Sequence, residues 1–248
     1  GLHYTFTGSA RQPPNIPPGG VMNGASFDAS QPIAPGSYIS IFGTGLSDFT
    51  DRNANAILPL AIDYAQVSFD VPSANLSVPG HLTYVSPGQV NVQVPWELQG
   101  QTSVQMKVTI DFTYGNVVTV PVSNYSPAFF TANGMVAALD LSNRLIGASN
   151  PARRGQAVQL YANGLGPVSN PPASGDPAPA APLSNTTATP VVMIGGQQAD
   201  VSFSGLAPGF AGLYQVNATV PASLSPGTYP ITISIGGQTS KASTIVVQ

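Results

Sequence analysis

Apolar residues recur at every second position in short runs along the whole chain. Val90, Val92 and Val94 alternate with Gln89, Asn91 and Gln93. Val104, Met106, Val108 and Ile110 repeat the pattern, as do Val118 and Val120, and Tyr229, Ile231, Ile233 and Ile235. Period two marks a strand with one buried and one solvated face, because successive Cβ atoms point to opposite sides of the pleat. Pro95 and Pro221 close two of the runs, since proline has no N–H to give to a ladder. Gly236-Gly237 marks a tight hairpin turn after Ile235, and Ile245 and Val247 form a last strand. Strands this short, with turn signals about every 8–12 residues, predict a sandwich or barrel.

The pattern is laid down twice. The run QVNVQVP at 89–95 returns as QVNATVP at 215–221, and SYISIFGTGL at 37–46 returns as QAVQLYANGL at 156–165, at offsets of 126 and 119 residues. Two matched blocks in one order predict a duplicated domain. The predicted fold is all-β: two tandem immunoglobulin-like β-sandwich domains at 21–126 and 127–248, behind an extended N-terminal arm at 1–20. The join near Asn124-Tyr125-Ser126-Pro127 is short, so the domains should sit end to end with limited freedom. Residues 166–190, which include Pro171-Pro172, Pro177, Pro179 and Pro182, break the alternation and predict an extended, polyproline-like crossing.

Composition narrows the function. With 26 glycines and 25 prolines, long helices are excluded, while 42% hydrophobic residues argue against disorder. Only 7% of residues are charged, and the net charge is −3 without a basic cluster, which makes nucleic acid a poor partner. A surface of Ser, Thr, Asn and Gln suits an extracellular or cell-surface setting and contact with other copies. There is no cysteine and no run of 18 apolar residues that would span a membrane. The chain opens at Gly1 on polar and aromatic alternation, the expectation being a mature form whose leader has been removed.

The motifs also carry a resemblance. Gly20-Val21-Met22-Asn23-Gly24-Ala25-Ser26-Phe27, Ile33-Ala34-Pro35-Gly36-Ser37, Phe42-Gly43-Thr44-Gly45-Leu46 and the run from Tyr84 to Leu98 resemble a domain common at the C-termini of secreted acidobacterial (Solibacter-type) proteins. Asn150 to Gly155, Tyr161 to Pro167 and Leu206 to Asn217 resemble its second half, so the likeness covers roughly 20–248. It implies tandem immunoglobulin-like (IPT/TIG-like) sandwiches, usually appended to larger extracellular proteins, and it supplies no catalytic residues.

No catalytic constellation emerges, and no cofactor or metal is expected. His3 and His81 are the only histidines and Glu97 is the only glutamate, and there is no GxSxG elbow, P-loop, GxGxxG, HExxH or cysteine cluster. His81 reads as a strand-edge residue and Glu97 as structural. Trp96 reads as a domain-packing residue, although it could stack on a sugar. Asp48, Asp51, Asn53 and Asn55 space oxygen side chains as some calcium loops do, but Asp and Asn also favour turns, and the terminal Glu is missing. Sequons at Asn75, Asn124, Asn185 and Asn217 are near the number this composition produces by chance.

The arm carries the sharpest expectation. In an extended strand Leu2, Tyr4 and Phe6 share one face, with His3, Thr5 and Thr7 on the other. Such a strand could add to its own sheet, or be donated to a neighbouring copy, with Pro13 to Pro18 as a spacer holding it off its own body. A head-to-tail contact of that kind does not close and generates a fibre. The leading expectation is therefore a non-enzymatic extracellular filament subunit, a homopolymer assembled by strand donation. The alternative is a monomeric cell-surface adhesion or carbohydrate-binding module with glycan partners.

Overall fold

The computed structural model describes residues 11–248. The fold is all-β, and its strand order is that of the immunoglobulin sandwich. The first sandwich contains β1 (Val21–Asn23), β2 (Tyr38–Phe42), β3 (Asp51–Arg52), β4 (Ala65–Val71), β5 (Leu76–Pro79), β6 (His81–Ser86), β7 (Gln89–Gln93), β8 (Ser103–Ile110), β9 (Thr113–Tyr114) and β10 (Val118–Pro121). One sheet runs β1-β2-β7-β6-β3 and the facing sheet β10-β8-β4-β5, with β9 on β8, all antiparallel. This is the A-B-E-D and G-F-C-C′ arrangement of the immunoglobulin fold.

The second sandwich contains β11 (Ala128–Phe129), β12 (Thr131–Ala132), β13 (Met135–Val136), β14 (Ala138–Leu139), β15 (Ala157–Asn163), β16 (Val191–Ile194), β17 (Gln197–Leu206), β18 (Tyr214–Thr219), β19 (Gly227–Ile235), β20 (Gln238–Thr239) and β21 (Ser243–Val247). Its two layers are one continuous ladder, because β17 changes partner along its length. Gln197 to Ala199 pair with β16, and Asp200 to Leu206 pair with β18. In the first sandwich the same crossing is made by β5 and β6, broken at Gly80. Among the described residues both sandwiches hold the full immunoglobulin set, so neither has an empty lane that a donated strand must fill.

The duplicated blocks occupy equivalent positions. The matched runs at 37–46 and 156–165 supply β2 and β15, and those at 89–95 and 215–221 supply β7 and β18. The likeness extends to a feature that string matching does not reveal. The ladder slips between Leu82 and Tyr84 opposite Asn91, and between Val201 and Phe203 opposite Asn217. In each bulge a hydroxyl donates to the facing carbonyl, Thr83 to Asn91 at 3.3 Å and Ser202 to Asn217 at 3.4 Å. The Gln89 amide donates to Asn91 Oδ1 at 2.8 Å, and Gln215 donates to Asn217 Oδ1 at 2.8 Å.

The inward rows pack as the alternation predicts. Val90, Val92, Val104, Met106, Val108 and Ile110 are buried in the first core, and Ile231, Ile233, Ile235, Ile245 and Val247 in the second. Two features depart from expectation. Gln93, which alternation places on the solvated face, is fully buried because the second sandwich covers it. The segment from Pro13 to Pro18 is not a spacer held off the body. Asn15 exchanges two backbone hydrogen bonds of 2.9 Å with Thr44, and Asn116 grips Ile16 through N–H to Oδ1 at 2.7 Å and Nδ2 to carbonyl at 2.9 Å. Ile16 itself is buried in the first core, so burial of its side chain offsets the cost of ordering the prolines. Leu2, Tyr4 and Phe6 lie outside the described residues.

Candidate functional site

The outward face of the β10-β8-β4-β5 sheet forms a groove of about 930 Å³. Alternation places Gln66, Ser68 and Asp70 of β4, Lys107 and Thr109 of β8, and Ser77 of β5 on its floor. Register sets the rows: Gln66 lies opposite Thr109, Ser68 opposite Lys107, and Asp70 opposite Ser77. Asp70 organises the polar end. It accepts from Lys107 Nζ at 2.9 Å, from Ser77 Oγ at 2.5 Å and from Ser68 Oγ at 3.3 Å. Burial pushes its carboxyl up, but the hydrogen bonds from Ser77 and Lys107 outweigh that, and the net shift is below the ordinary carboxylate range.

Aromatic rings close the other end. Tyr64, Phe112 and Tyr114 are 73%, 88% and 66% exposed and line the same groove. Two of them sit on two-residue hairpin turns. Asp63-Tyr64 joins Ile62 to Ala65, which exchange backbone hydrogen bonds of 3.2 and 2.9 Å, and Asp111-Phe112 joins β8 to β9. Both central residues of both turns are left-handed, with φ of 46° and 64° in the first and 43° and 64° in the second. That is the signature of a type I′ turn, which favours Asn-Gly or Gly-Gly because a side chain at positive φ crowds the backbone. The second sandwich follows the rule. Its turn equivalent to Asp111-Phe112, between β19 and β20, is Gly236-Gly237. The first sandwich thus holds bulky rings in a conformation that disfavours them, and they turn outward rather than into a core. Strain of this kind concentrates at functional sites.

A second cluster lies at the joint between the sandwiches. Trp96 enters the core of the second sandwich at 8% exposure, stacked so closely on Gly36 that any Cβ there would overlap the indole. Ser174, from the loop at 166–190, accepts the Trp96 backbone N–H at 2.9 Å and donates to Glu97 at 2.7 Å. Gln93 accepts the Gly175 N–H at 2.7 Å and donates to the Gly36 carbonyl at 3.3 Å. Asn163 accepts the Tyr38 N–H at 2.9 Å and donates to the Tyr38 carbonyl at 2.8 Å and to Asn23 at 3.1 Å. The Tyr38 hydroxyl donates to the Ala211 carbonyl, and burial pushes its phenol up to about 12. The proline-rich loop is therefore a clamp across the joint as well as a crossing within its own sandwich.

The structure brings His81 and Glu97 to this joint together with Ser174 and Asp176. Burial pushes the His81 imidazole below its ordinary value, partly offset by the charges of Glu97 and Asp176. Its Nδ1 is buried without a hydrogen-bond partner among the described residues. The Ser174 proton goes to Glu97 and not to His81, so the nucleophile–base hydrogen bond of a serine hydrolase is not formed here. The loop at 48–55 is held by its own hydrogen bonds and by Arg11. Asp48 pairs with Arg11, Asp51 accepts the Arg52 N–H, and Asn53 accepts from the Asn55 N–H and donates to the carbonyls of Asn55 and Ile57. The Asp51 and Asn53 oxygens thus serve the turn, and the Asp48 carboxylate serves Arg11. Asn75, Asn124 and Asn185 are exposed, whereas Asn217 is half-buried and engaged by Gln215.

The aromatic groove is not announced by any sequence motif. Asp63-Tyr64 and Asp111-Phe112 do not look like hairpin signals, because neither contains glycine. The available clue is that Ile110 ends a strand pattern just before Asp111-Phe112, as Ile235 does before Gly236-Gly237. No helix among the described residues is long and apolar enough to cross a membrane.

No family model matches the chain, and no curated protein matches it. Among solved structures it is similar to a Bacteroides ovatus SGBP-B from a mixed-linkage glucan utilization locus, in complex with a heptasaccharide, at 14% identity and TM-score 0.33, covering 87% of this chain and 43% of that one. It is similar to a Bacteroides uniformis SGBP-B from a complex xyloglucan utilization locus at 12% identity and TM-score 0.29, covering 94% and 48%. The Escherichia coli adhesin FdeC matches at 12% identity and TM-score 0.27, covering 92% and 63%. The chain thus spans less than half the length of the two SGBP-B chains it matches. Likenesses this distant carry no information on ligand or activity.

Proposed function

We propose that this chain is a non-catalytic, extracellular carbohydrate-binding module whose ligand lies along the outer face of the β10-β8-β4-β5 sheet. The observation that carries the reading is the pair of strained hairpins that present Tyr64 and Phe112 to solvent, when the duplicate sandwich uses Gly-Gly at the corresponding tip. A sugar ring has an apolar C–H face and a hydroxyl rim. Exposed aromatic rings match the first, and the Ser68, Ser77, Thr109 and Gln66 side chains match the second. From Ala65 to Asp70 the floor runs about 17 Å at roughly 3.3 Å per residue, long enough for an oligosaccharide and not only one ring. The hydrogen-bonded joint ties the second sandwich to the first, which suits adhesion to a glycan-bearing surface.

The test is affinity electrophoresis of the whole chain through gels containing soluble polysaccharides, with a Tyr64→Ala/Phe112→Ala/Tyr114→Ala variant alongside. Retardation of the parent and free migration of the variant are expected. Equal retardation of both would move the site elsewhere. The alternation of Leu2, Tyr4 and Phe6 favours a second reading, strand addition to a neighbour's sheet edge and growth of a fibre. Deleting residues 1–10 should then convert polymers seen by electron microscopy into monomers, and polymers that survive the deletion would end that reading.

A further inference from the structure

The same groove carries an excess of negative charge. Asp63 and Asp111 precede the two aromatic residues on the hairpin tips, and among the described residues neither has a cationic partner. Asp70 lies on the floor, and Lys107, the one cation lining the groove, is already spent on Asp70 at 2.9 Å. Three carboxylates therefore face one ammonium. Resting on the carbohydrate reading above, we infer that the ligand is a neutral glycan chain and that the groove excludes acidic polysaccharides such as uronates or sulfated chains.

The argument is one of unpaired charge. An acidic sugar stacked on Tyr64 or Phe112 brings its carboxylate or sulfate beside Asp63 or Asp111, with no free Lys or Arg to receive it. Like charges at that range repel even near water, and juxtaposition across an interface is a recognised device for rejecting wrong partners. A neutral chain meets no such barrier, and its recognition rests on the rings and the hydroxyl-bearing floor and not on these two carboxylates. The charge of this face differs from that of the far end of the second sandwich, where Arg153 and Arg154 line a surface depression. The exclusion is thus a local property of the groove and not of a uniformly acidic protein.

The experiment compares two sets of probes on the full chain at low ionic strength. The neutral set is barley β-glucan, glucomannan and hydroxyethylcellulose, and the acidic set is alginate and polygalacturonate. Binding to at least one neutral polymer and about tenfold or weaker binding to both acidic ones are expected, with the gap narrowing as salt is raised. The Asp63→Asn/Asp111→Asn variant should gain affinity for the acidic set and keep its affinity for the neutral one. Its thermal midpoint, compared with that of the parent, reports that it is folded. Acidic polymers that bind as tightly as neutral ones, or a double variant whose preference is unchanged, would overturn the inference while leaving carbohydrate binding intact. Failure to bind any polymer would defeat the carbohydrate reading itself. Sedimentation at rising protein concentration covers the remaining occupant: self-association that Phe112→Gly abolishes would mean that a second copy fills the groove.

Discussion

Replacing Phe112 by glycine should leave the protein as stable as before, or slightly more so, while weakening its ligand affinity. Phe112 sits at φ 64°, where a residue with a Cβ costs about 1–2 kcal/mol relative to an unstrained one. Glycine removes that cost but adds roughly 0.5–1 kcal/mol of conformational entropy to the unfolded chain. The ring is 88% exposed, so the burial forfeited is only about an eighth of the ~2–3 kcal/mol that a fully buried phenylalanine would contribute. The balance is a stabilisation of about 0.5 kcal/mol, a rise of about 1–2 °C in thermal midpoint for a chain of this size. A ring buried for structural reasons would instead cost about 3–5 kcal/mol on truncation. Loss of a central aromatic contact should weaken glycan binding about tenfold or more. Thermal unfolding followed by circular dichroism, paired with affinity electrophoresis, reads both quantities. A fall in midpoint of more than 5 °C or so, or unchanged retardation, would refute the reasoning that strain is retained here for binding.

Other consequences are equally direct. Asn163→Ala leaves the Tyr38 N–H without its partner inside the joint, while the Tyr38 carbonyl keeps the Gly24 N–H and the Asn23 side chain keeps Ala25 and Ser126, and should cost about 1–3 kcal/mol in urea unfolding; a cost near zero would mean that Asn163 does not help hold the halves together. Ile16→Ala should destabilise the first sandwich by about 2–4 kcal/mol, a value that a loosely attached arm would not produce. Burial holds His81 below its ordinary value of 6.5, so the unfolded chain binds this proton more readily than the folded one. Stability should therefore be full above about pH 6.5 and decline as the pH falls below it, and His81→Gln should flatten the decline between pH 7 and pH 5 in thermal scans. Asp70 shifts downward for the opposite reason, the stabilised form being the charged one, so its contribution is held above its ordinary value of 3.8 and lost only as the pH falls further. Glycan retention should accordingly be constant from pH 8 to pH 5.

The fold was readable because the core obeys one rule. The valines and isoleucines of β7, β8 and β19 alternate without interruption, and the repeated blocks fell on equivalent strands of the two sandwiches. The joint was less readable because its residues break the repeat. Asn163 stands where the first sandwich has Thr44, and Gln93 stands where the second has Thr219. Their burial depends on a neighbour that no local pattern announces. Trp96 could be read as a packing residue because a lone tryptophan after Pro95 has few other uses, but its entry into the second core follows from the clamp at 173–176. The groove was least readable. Its floor residues are ordinary solvated positions of β4 and β8, and its rings sit at turns whose backbone conformation does not follow from the residues Asp-Tyr and Asp-Phe. The seating of Pro13 to Pro18 on the first sandwich is not legible, because composition alone does not show that Asn116, a hundred residues away, grips Ile16.

Backbone amide chemical-shift mapping of the isotope-labelled chain, titrated with cellohexaose, laminarihexaose and mannohexaose, asks the molecule directly where a sugar sits. The account predicts that at least one of these perturbs a contiguous set centred on Tyr64, Ser68, Lys107, Thr109, Phe112 and Tyr114 and leaves the joint and the second sandwich unmoved. Shifts confined to any other surface, or none with any of the three, would contradict it.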